Sequence, residues 1–454
     1  MATAHVVTDI GYGDAGKGAL VDFLAFRHQC RLVVRVHGGA QAGHNVVTPS
    51  GQQHTFSQFG AACLQPDVHT LHAGDMVVAP LALASEAAHV LAVGGQDPRD
   101  RLHIDRNCRV STPLHQAANR LREAARGANR HGSCGIGFGE TVRDGLLAGD
   151  QALVAGDLRN PKVVLDKLTS LRRRLLADVS AELGPIDRSG SDDGWMLAAA
   201  PVQSVADMLC AAVAAVALVD TAQACQLVQH HRDLVIEGAQ GVLLDEWAGF
   251  HPHTTWSTCT TAGANRFLLQ VGWQGQVVRH GVLRCFMVRH GAGPLPGEDP
   301  QLGQLLPEGH NTGHPWQGQV RKAPLDAVAL RYALDVCGDI DELAVTHLDQ
   351  AHLMPRAPWT VGWRPAAVVP DWQGQTQGGT ITRLALPTPP DLQRQARLTH
   401  LARQVTVVAG GPSPPARGNI DNQNEWLLQL GTALGVPVGR CAAGPTRAHW
   451  RQLS

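Results

Sequence analysis

"DIGYGDAGKG", Asp9 to Gly18, is a glycine-rich stretch set between a β-branched run, "AHVVTDI", and an apolar run of helical spacing, "GALVDFLAFRH". Strand, glycine loop, helix is the context in which backbone N–H groups cradle a phosphate. Gly11, Gly16 and Lys17 fit the phosphate-loop spacing G-x-x-x-x-G-K, but Gly18 stands where Ser or Thr holds magnesium. An acid, Asp14, sits inside the loop instead. A carboxylate does not hold a phosphate, since the two anions repel. Asp14 makes sense as a metal ligand or as a base taking a proton from a neighbouring substrate.

The same strand-into-glycine pattern recurs in "RLVVRVHGG" (31–39) and "DLVIEGAQG" (233–241). "VVRHGVLRCFMVRHGAG", "DELAVTHLD" and "VTVVAGG" read as further strands. "PLALASEAAHVLAV", "PLHQAANRLREAARGA" and "APLDAVALRYALDVCG" carry helical spacing, and "DRSGSDDGW" reads as a surface loop. The alternation predicts an α/β fold: one large domain over residues 1–454, with a central, mostly parallel sheet flanked by helices. Ligands are expected over the carboxyl ends of the strands.

Composition narrows the partners. A chain of 454 residues with 44% hydrophobic and 17% charged residues is ordinary for a globular protein. A formal net charge of −1 gives no reason to expect nucleic acid or a membrane surface as partner. "MATAHVVTDI" lacks a basic segment followed by an apolar one, and no apolar run has the length of a membrane span. A cytoplasmic location is expected. The 10 cysteines form no C-x-x-C pair and the 23 histidines no H-E-x-x-H, so zinc is not expected. Lysine is scarce here: Lys17, Lys162, Lys167 and Lys322 stand among 38 Lys+Arg. A compact ammonium retained in the glycine loop suits a phosphate cradle. "RVHGGAQAGHNVV" (35–47) adds a second glycine turn after a strand, with His44 behind it.

"GYGDAGKGALVDFLA" and "GGAQAGHNVV" resemble the two N-terminal signatures of adenylosuccinate synthetases, and "IEGAQGVLLDEWAGFHPHTTWSTCTTAGA" (236–264) resembles a third. "GVLRCFMVRHGAGPLPGE", "NTG", "LDAVALRYA" and "THLD" follow in the family's order, and the similarity extends to "AGGP" at Gly411. The resemblance implies a P-loop-like synthetase fold and a ligase. Such an enzyme joins L-aspartate to carbon 6 of inosine monophosphate, with GTP (ATP as the alternative donor) and Mg2+, through a 6-phosphoryl intermediate. By position, Asp14 becomes both base at purine N1 and metal ligand, with the Gly43 carbonyl as second ligand. His44 and Lys17 act on the phosphoryl group in transit, and Gly13, Gly16 and Gly18 belong to the phosphate loop. Gln41, Ser133, Arg143, Gln240, Thr255 and Gly411 match nucleotide-binding positions, and Asp349 is expected at the guanine of the donor nucleotide. Asn311, Thr312 and Arg321 fall where the family binds the amino acid. A homodimer is implied, with Arg143 reaching across its interface.

The chain also departs from the family. Ala15 and Ala19 replace an acid and a lysine in the first loop, and His314 replaces the first of several arginines after "NTG". His347 replaces the lysine of "TKLD". "HTFSQFG" (54–60) is closer to phage relatives that act on deoxyguanylate, although Asp14 is kept. These departures leave open guanylate or deoxyguanylate as acceptor, another amine, or a nucleotide-binding paralogue without catalysis.

Overall fold

The computed structural model describes residues 2–309, 315–354, 357–367, 374–415 and 420–453. Its frame is a ten-stranded sheet. In chain order the strands are β1 (Thr3–Asp9), β2 (Leu32–Arg35), β3 (His69–His72), β4 (Leu102–Asp105), β5 (Ala217–Val219), β6 (Asp233–Glu237), β7 (Gln276–Arg284), β8 (Glu342–Thr346), β9 (Val438–Ala442) and β10 (Trp450–Gln452). They lie side by side as β10-β9-β8-β7-β1-β6-β2-β3-β4-β5, all parallel except the closing β9–β10 pair. The α/β expectation with a mostly parallel sheet is met.

β1 sits near the middle, hydrogen-bonded to β6 on one side and β7 on the other. Its alternate residues enter different cores. Val7 packs with Val33, Val235, Leu20 and Leu24 on one face, and Ala4 and Val6 pack with Leu32, Val34, Leu234 and Ile236 on the other. A strand covered on both faces reads as a continuous apolar run, which is why "AHVV", "LVV" and "LVI" were legible. The predicted helices form over Lys17–Arg27, Pro80–Gly94, Pro113–Arg126 and Ala327–Cys337. Thr112 caps the third, with His115 returning the bond, and the Asp326 carboxylate caps the fourth through Val328 and Ala329 N–H.

Two strand readings hold with their sheet now given, and one loop reading is corrected. "VTVVAGG" does form a strand, Thr406–Ala409, but in a separate four-stranded antiparallel sheet with 360–364, 374–377 and 380–384. The run after Gln276 breaks: Met287–His290 leaves the main sheet to pair antiparallel with Val320–Ala323. "DRSGSDDGW" is loop only in its first half. Ser191 accepts from Gly194 N–H at 3.0 Å and, with Asp192 and Asp193 in the first turn, starts a helix over Asp192–Ala198. No single helix among the described residues is long and apolar enough to cross a membrane.

Several histidines are buried inside this frame. Burial lowers His5 to about 2, with the neighbouring His280 adding to it, and lowers His280 itself to about 3. Burial likewise takes His37 to about 3 and His72 to about 4. These rings are neutral when folded, whereas in the unfolded chain each takes a proton near pH ~6.5. Their contribution to stability is therefore present above that value and is lost as pH falls below it, each adding a slope of up to about 1.4 kcal/mol per pH unit. The thermal midpoint, followed by circular dichroism, is expected to drop steeply between about pH 7 and pH 5. A midpoint flat over that range would contradict neutral burial of these rings.

Candidate active site

The glycine loop is shaped by the last residue of β1. Asp9 is buried, and its Oδ1 accepts from Gly11 N–H (2.8 Å) and Gly13 N–H (3.3 Å). Its Oδ2 accepts from Ala15 N–H (3.0 Å) and from the Lys17 ammonium (3.0 Å). The loop wraps one carboxylate, and three of its residues bend through left-handed backbone: Gly13 (φ 91°), Asp14 (φ 59°) and Gly16 (φ 93°). Asp14 adopts that conformation without being glycine, a position that costs energy and is kept where surrounding contacts enforce it. Arg284 supplies one such contact, donating from Nε to the Asp14 carbonyl at 2.6 Å while its Nη1 pairs with Glu308.

Gly18 is explained by packing. A Cβ there would stand 2.9 Å from the Asn45 carbonyl oxygen and from the His44 carbonyl carbon. The first helix thus starts against the His44–Val47 strand, and no Ser or Thr fits. On the opposite side Gln240 takes φ 55° and Gly241 comes so close that a Cβ would lie 2.3 Å from Gly11 O and Gly13 N.

Between these segments opens a cavity of about 610 Å3. Of the residues singled out in the sequence, Gly13, Asp14, Gly16, Lys17, Gly18, Gln41, Gly43, His44, Gln240 and Asp349 all line it. Strands from across the sheet thus bring together side chains more than 300 residues apart. His44 Nδ1 is bonded to Glu237 Oε1, and Glu237 Oε2 accepts from Ala61 N–H at 3.0 Å. With Nδ1 committed, Nε2 is buried and has no hydrogen-bond partner. Both amide atoms of Gln41 and of Gln240 are also buried and unpartnered. Buried polar atoms without partners are rare in folded proteins. These five, all on residues lining one cavity, mark a surface built for a polar ligand. Burial lowers the proton affinity of His44, against the raising effect of Glu237.

Five expected residues lie off the cavity wall. The Ser133 hydroxyl donates to Asn119 Oδ1 (3.1 Å), while its neighbours Cys134 and Ile136 reach the cavity. Arg143 pairs with Asp178 of its own chain, and the Thr255 N–H donates to the Leu244 carbonyl at 2.8 Å. Gly411 lies against the Trp359 indole, where a Cβ would collide at 1.8 Å. Arg321 spends its guanidinium on the Gly291 and Gly293 carbonyls and on Glu298. Asn311 and Thr312, like His314, lie outside the described residues.

Other residues at the site carried no assigned role in the sequence. Asp9 and Glu237 stand within the quoted motifs but act from behind them. Ala442, Gly444 and Pro445 line the cavity with His347 and Asp349, and "AAGP" after β9 was the signal. His347 takes φ 61°, and Thr346 Oγ1 bridges its Nδ1 (2.8 Å) to the Ala15 carbonyl (2.7 Å). Burial holds that ring well below the ordinary imidazole range, so it is neutral where the family carries a lysine.

The chain is similar to known proteins over most of its length. A family model described as adenylosuccinate synthetase matches residues 6–377. The adenylosuccinate synthetase of Alkalilimnicola ehrlichii is 30% identical, covering 98% of this chain and 97% of its own length. That of Neisseria gonorrhoeae is 31% identical, covering 98% of each. Among solved structures, the fully ligated adenylosuccinate synthetase of Plasmodium falciparum superposes with a TM-score of 0.76 at 19% identity, covering 100% of both chains. A cyanophage S-2L succinoaminodeoxyadenylate synthetase bound to dGMP and dATP gives 0.59 at 16%, covering 100% of this chain and 95% of its own.

Replacing Asp9 by Ala removes the acceptor for three loop amides and leaves Lys17 buried without its partner. The expected loss is about 3–5 kcal/mol in urea denaturation, the range for stripping one member from a buried ion pair. A loss under about 1 kcal/mol would show that the loop holds its shape without that carboxylate.

Proposed function

The chain belongs to the adenylosuccinate synthetase family, and we propose that this ligase condenses L-aspartate with the 6-oxo carbon of inosine monophosphate, driven by GTP. The observation that carries the reading is the convergence of Asp14, Lys17 and His44 with the unpartnered amides of Gln41 and Gln240 around one cavity. A purine 6-oxo group is amide-like and its oxygen is a poor leaving group. Transfer of the γ-phosphoryl group of GTP to that oxygen makes it a good one. The transfer requires loss of the N1 proton, for which Asp14 is the general base. The aspartate amine then attacks carbon 6, and phosphate departs with the electron pair of the C–O bond.

Lys17 balances charge on the phosphoryl group from within the loop. Glu237 fixes the His44 ring so that Nε2 meets the phosphoryl oxygens. An anion against Nε2 restores the proton affinity that burial removes, so the imidazolium forms with its ligand. Magnesium fits this wall as an ion arriving with nucleotide. Among the described residues no three His, Cys, Asp or Glu side chains cluster as ligands, yet Asp14 and Gly43 both line the cavity, where the carboxylate of one and the carbonyl of the other would hold the ion. Mg2+ characteristically keeps waters and takes one or two protein oxygens beside substrate phosphates. When bound it neutralises phosphate charge. Asp349, which lines the cavity as do Gly444 and Pro445, would read the donor base. We further propose a cytoplasmic homodimer, in which Arg143 would exchange Asp178 for a ligand of the partner's site.

A second reading keeps the activation step and changes the amine. It is favoured by Arg321, whose donors are taken up by the 291–298 turn and so do not reach a substrate carboxylate. Phosphate release in the presence of Mg2+ separates the possibilities. Inosinate, guanylate and deoxyguanylate are offered in turn, with GTP or ATP, and aspartate against other amino acids. Turnover is expected with inosinate, GTP and aspartate, and Asp14→Asn should lower it by about 10²–10⁴-fold. Undiminished activity in that variant would remove Asp14 as the base. Product with another nucleotide or amine alone would replace the substrates named here.

A further inference from the structure

Segments far apart in sequence line one cavity: 131–137, which contributes Cys134 and Ile136, and the paired pieces 290–291 and 316–319, which contribute His290 and Gln317. They touch each other at two glycines. Gly132 (φ 85°) lies against Ala292, with a Cβ there only 3.4 Å from Ala292 Cβ and N. Gly135 (φ 71°) lies flat under the Trp316 indole, where a Cβ would come within 2.9 Å of Cδ1 and Cγ. The indole therefore occupies space that any other residue at 135 would take.

Both halves of this contact are braced. Asn119, Arg120 and Glu123, from the Pro113–Arg126 helix, hold the first segment. Asn119 Oδ1 accepts from Ser133 Oγ, Arg120 Nε donates to the Gly135 carbonyl at 2.9 Å, and Glu123 Oε2 accepts from Gly132 and Ser133 N–H. The Arg120 guanidinium also stands over the Trp316 ring, 5.7 Å from its centre. In the second segment Gly291 N–H donates to the Gln319 carbonyl (3.0 Å), and His290 Nε2 bonds the Gly318 carbonyl (3.2 Å). Trp316 thus sits on a turn tied to 290–291 and clasps the opposite wall, while the next residue, Gln317, lines the cavity.

We propose that Trp316 is a specificity-determining residue: its clasp on Gly135 closes the cavity so that an amine, and not water, meets the activated purine. The inference rests on the phosphoryl-activation reading above. A 6-phosphoryl purine is open to any nucleophile. If water adds at carbon 6, phosphate leaves with the C–O electron pair, a proton passes to solvent, and the 6-oxo nucleotide is regenerated with GTP wasted. Joining the two walls excludes that water. Trp316 does not itself line the cavity, so its effect acts through closure and not through contact with the reacting atoms.

The test measures two products in one reaction of the full chain with inosinate, GTP, Mg2+ and aspartate: inorganic phosphate, and the C–N product by chromatography. The unaltered enzyme is expected to release phosphate and product in equal amounts. In Trp316→Ala, phosphate released without aspartate should rise by about tenfold, and total phosphate should exceed product, as an opened active site predicts. Gly135→Ala, whose methyl group displaces the indole, should uncouple in the same direction, and Trp316→Phe should restore most of the coupling. Phosphate and product still equal in both Trp316→Ala and Gly135→Ala would overturn the proposal, as would failure of phenylalanine to rescue an uncoupled alanine variant. Absence of C–N product from the unaltered enzyme would instead strike the proposed function, so the two failures are distinguishable.

Discussion

A single buried carboxylate organises the catalytic end of this molecule. Asp9 stands where the central strand of the sheet runs out, and it accepts from three consecutive odd-numbered amides and one ammonium. Without a phosphate in place, a glycine loop of this kind leaves its N–H groups pointing at nothing. The cost of burying such donors is of the order of 1–3 kcal/mol each. Asp9 removes that cost by offering an internal anion at the base of the loop. The same anion holds Lys17, so its ammonium is kept as a buried ion pair and not left exposed.

Around that anchor, backbone meets backbone at unusually short range. Gly18 touches the strand that carries His44, and Gly241 touches the loop that carries Asp14. These contacts fix the separation of the backbone segments that carry the acid, the lysine and the histidine. They also answer the question raised by the loop's departure from the phosphate-loop pattern. The residue after Lys17 is glycine because another strand occupies the space a hydroxyl side chain would need. The left-handed turn between Gly13 and Gly16 carries Asp14 to the cavity wall, which is where the proposed metal-binding and base roles need it.

How much of this was legible follows from range. The covered strands β1, β2, β6 and β8 announce themselves because both faces are apolar. The outer strands β3, β4, β5, β9 and β10 are short, three to five residues each, and His69–His72 begins and ends on histidine, so periodicity hid them. Asp14, Lys17, Gln41, His44 and Gln240 could be found because each is next to a glycine turn after a strand. Asp9 and Glu237 lie in the same stretches but inside the strands, where a carboxylate looks like a stray polar residue until its partners are seen. Arg143, Arg321 and Gly411 carried the right residue types, yet Asp178, the 291–298 turn and Trp359 claim them. A linear sequence does not display competition between partners.

That competition also shapes the buried charge beneath the site. Glu237 and Arg35 are paired in register on adjacent strands, and His72 is the next residue in the row on β3. Arg35 is fully buried, donates to the Phe59 carbonyl at 3.1 Å, and keeps two of its nitrogens without partners. A guanidinium so placed is expensive to bury unless an anion answers it. Burial favours a neutral Glu237, yet the pull of Arg35, followed by that of His44, holds its carboxyl below the usual range. An ionised Glu237 is what keeps the His44 ring turned with Nε2 to the cavity, as in any site where a buried carboxylate orients an imidazole. The order of residues along the sheet, His72, Arg35, Glu237, then His44 above, is therefore a line of alternating demands in which each member sets the state of the next. Its last member is the only one that touches the cavity.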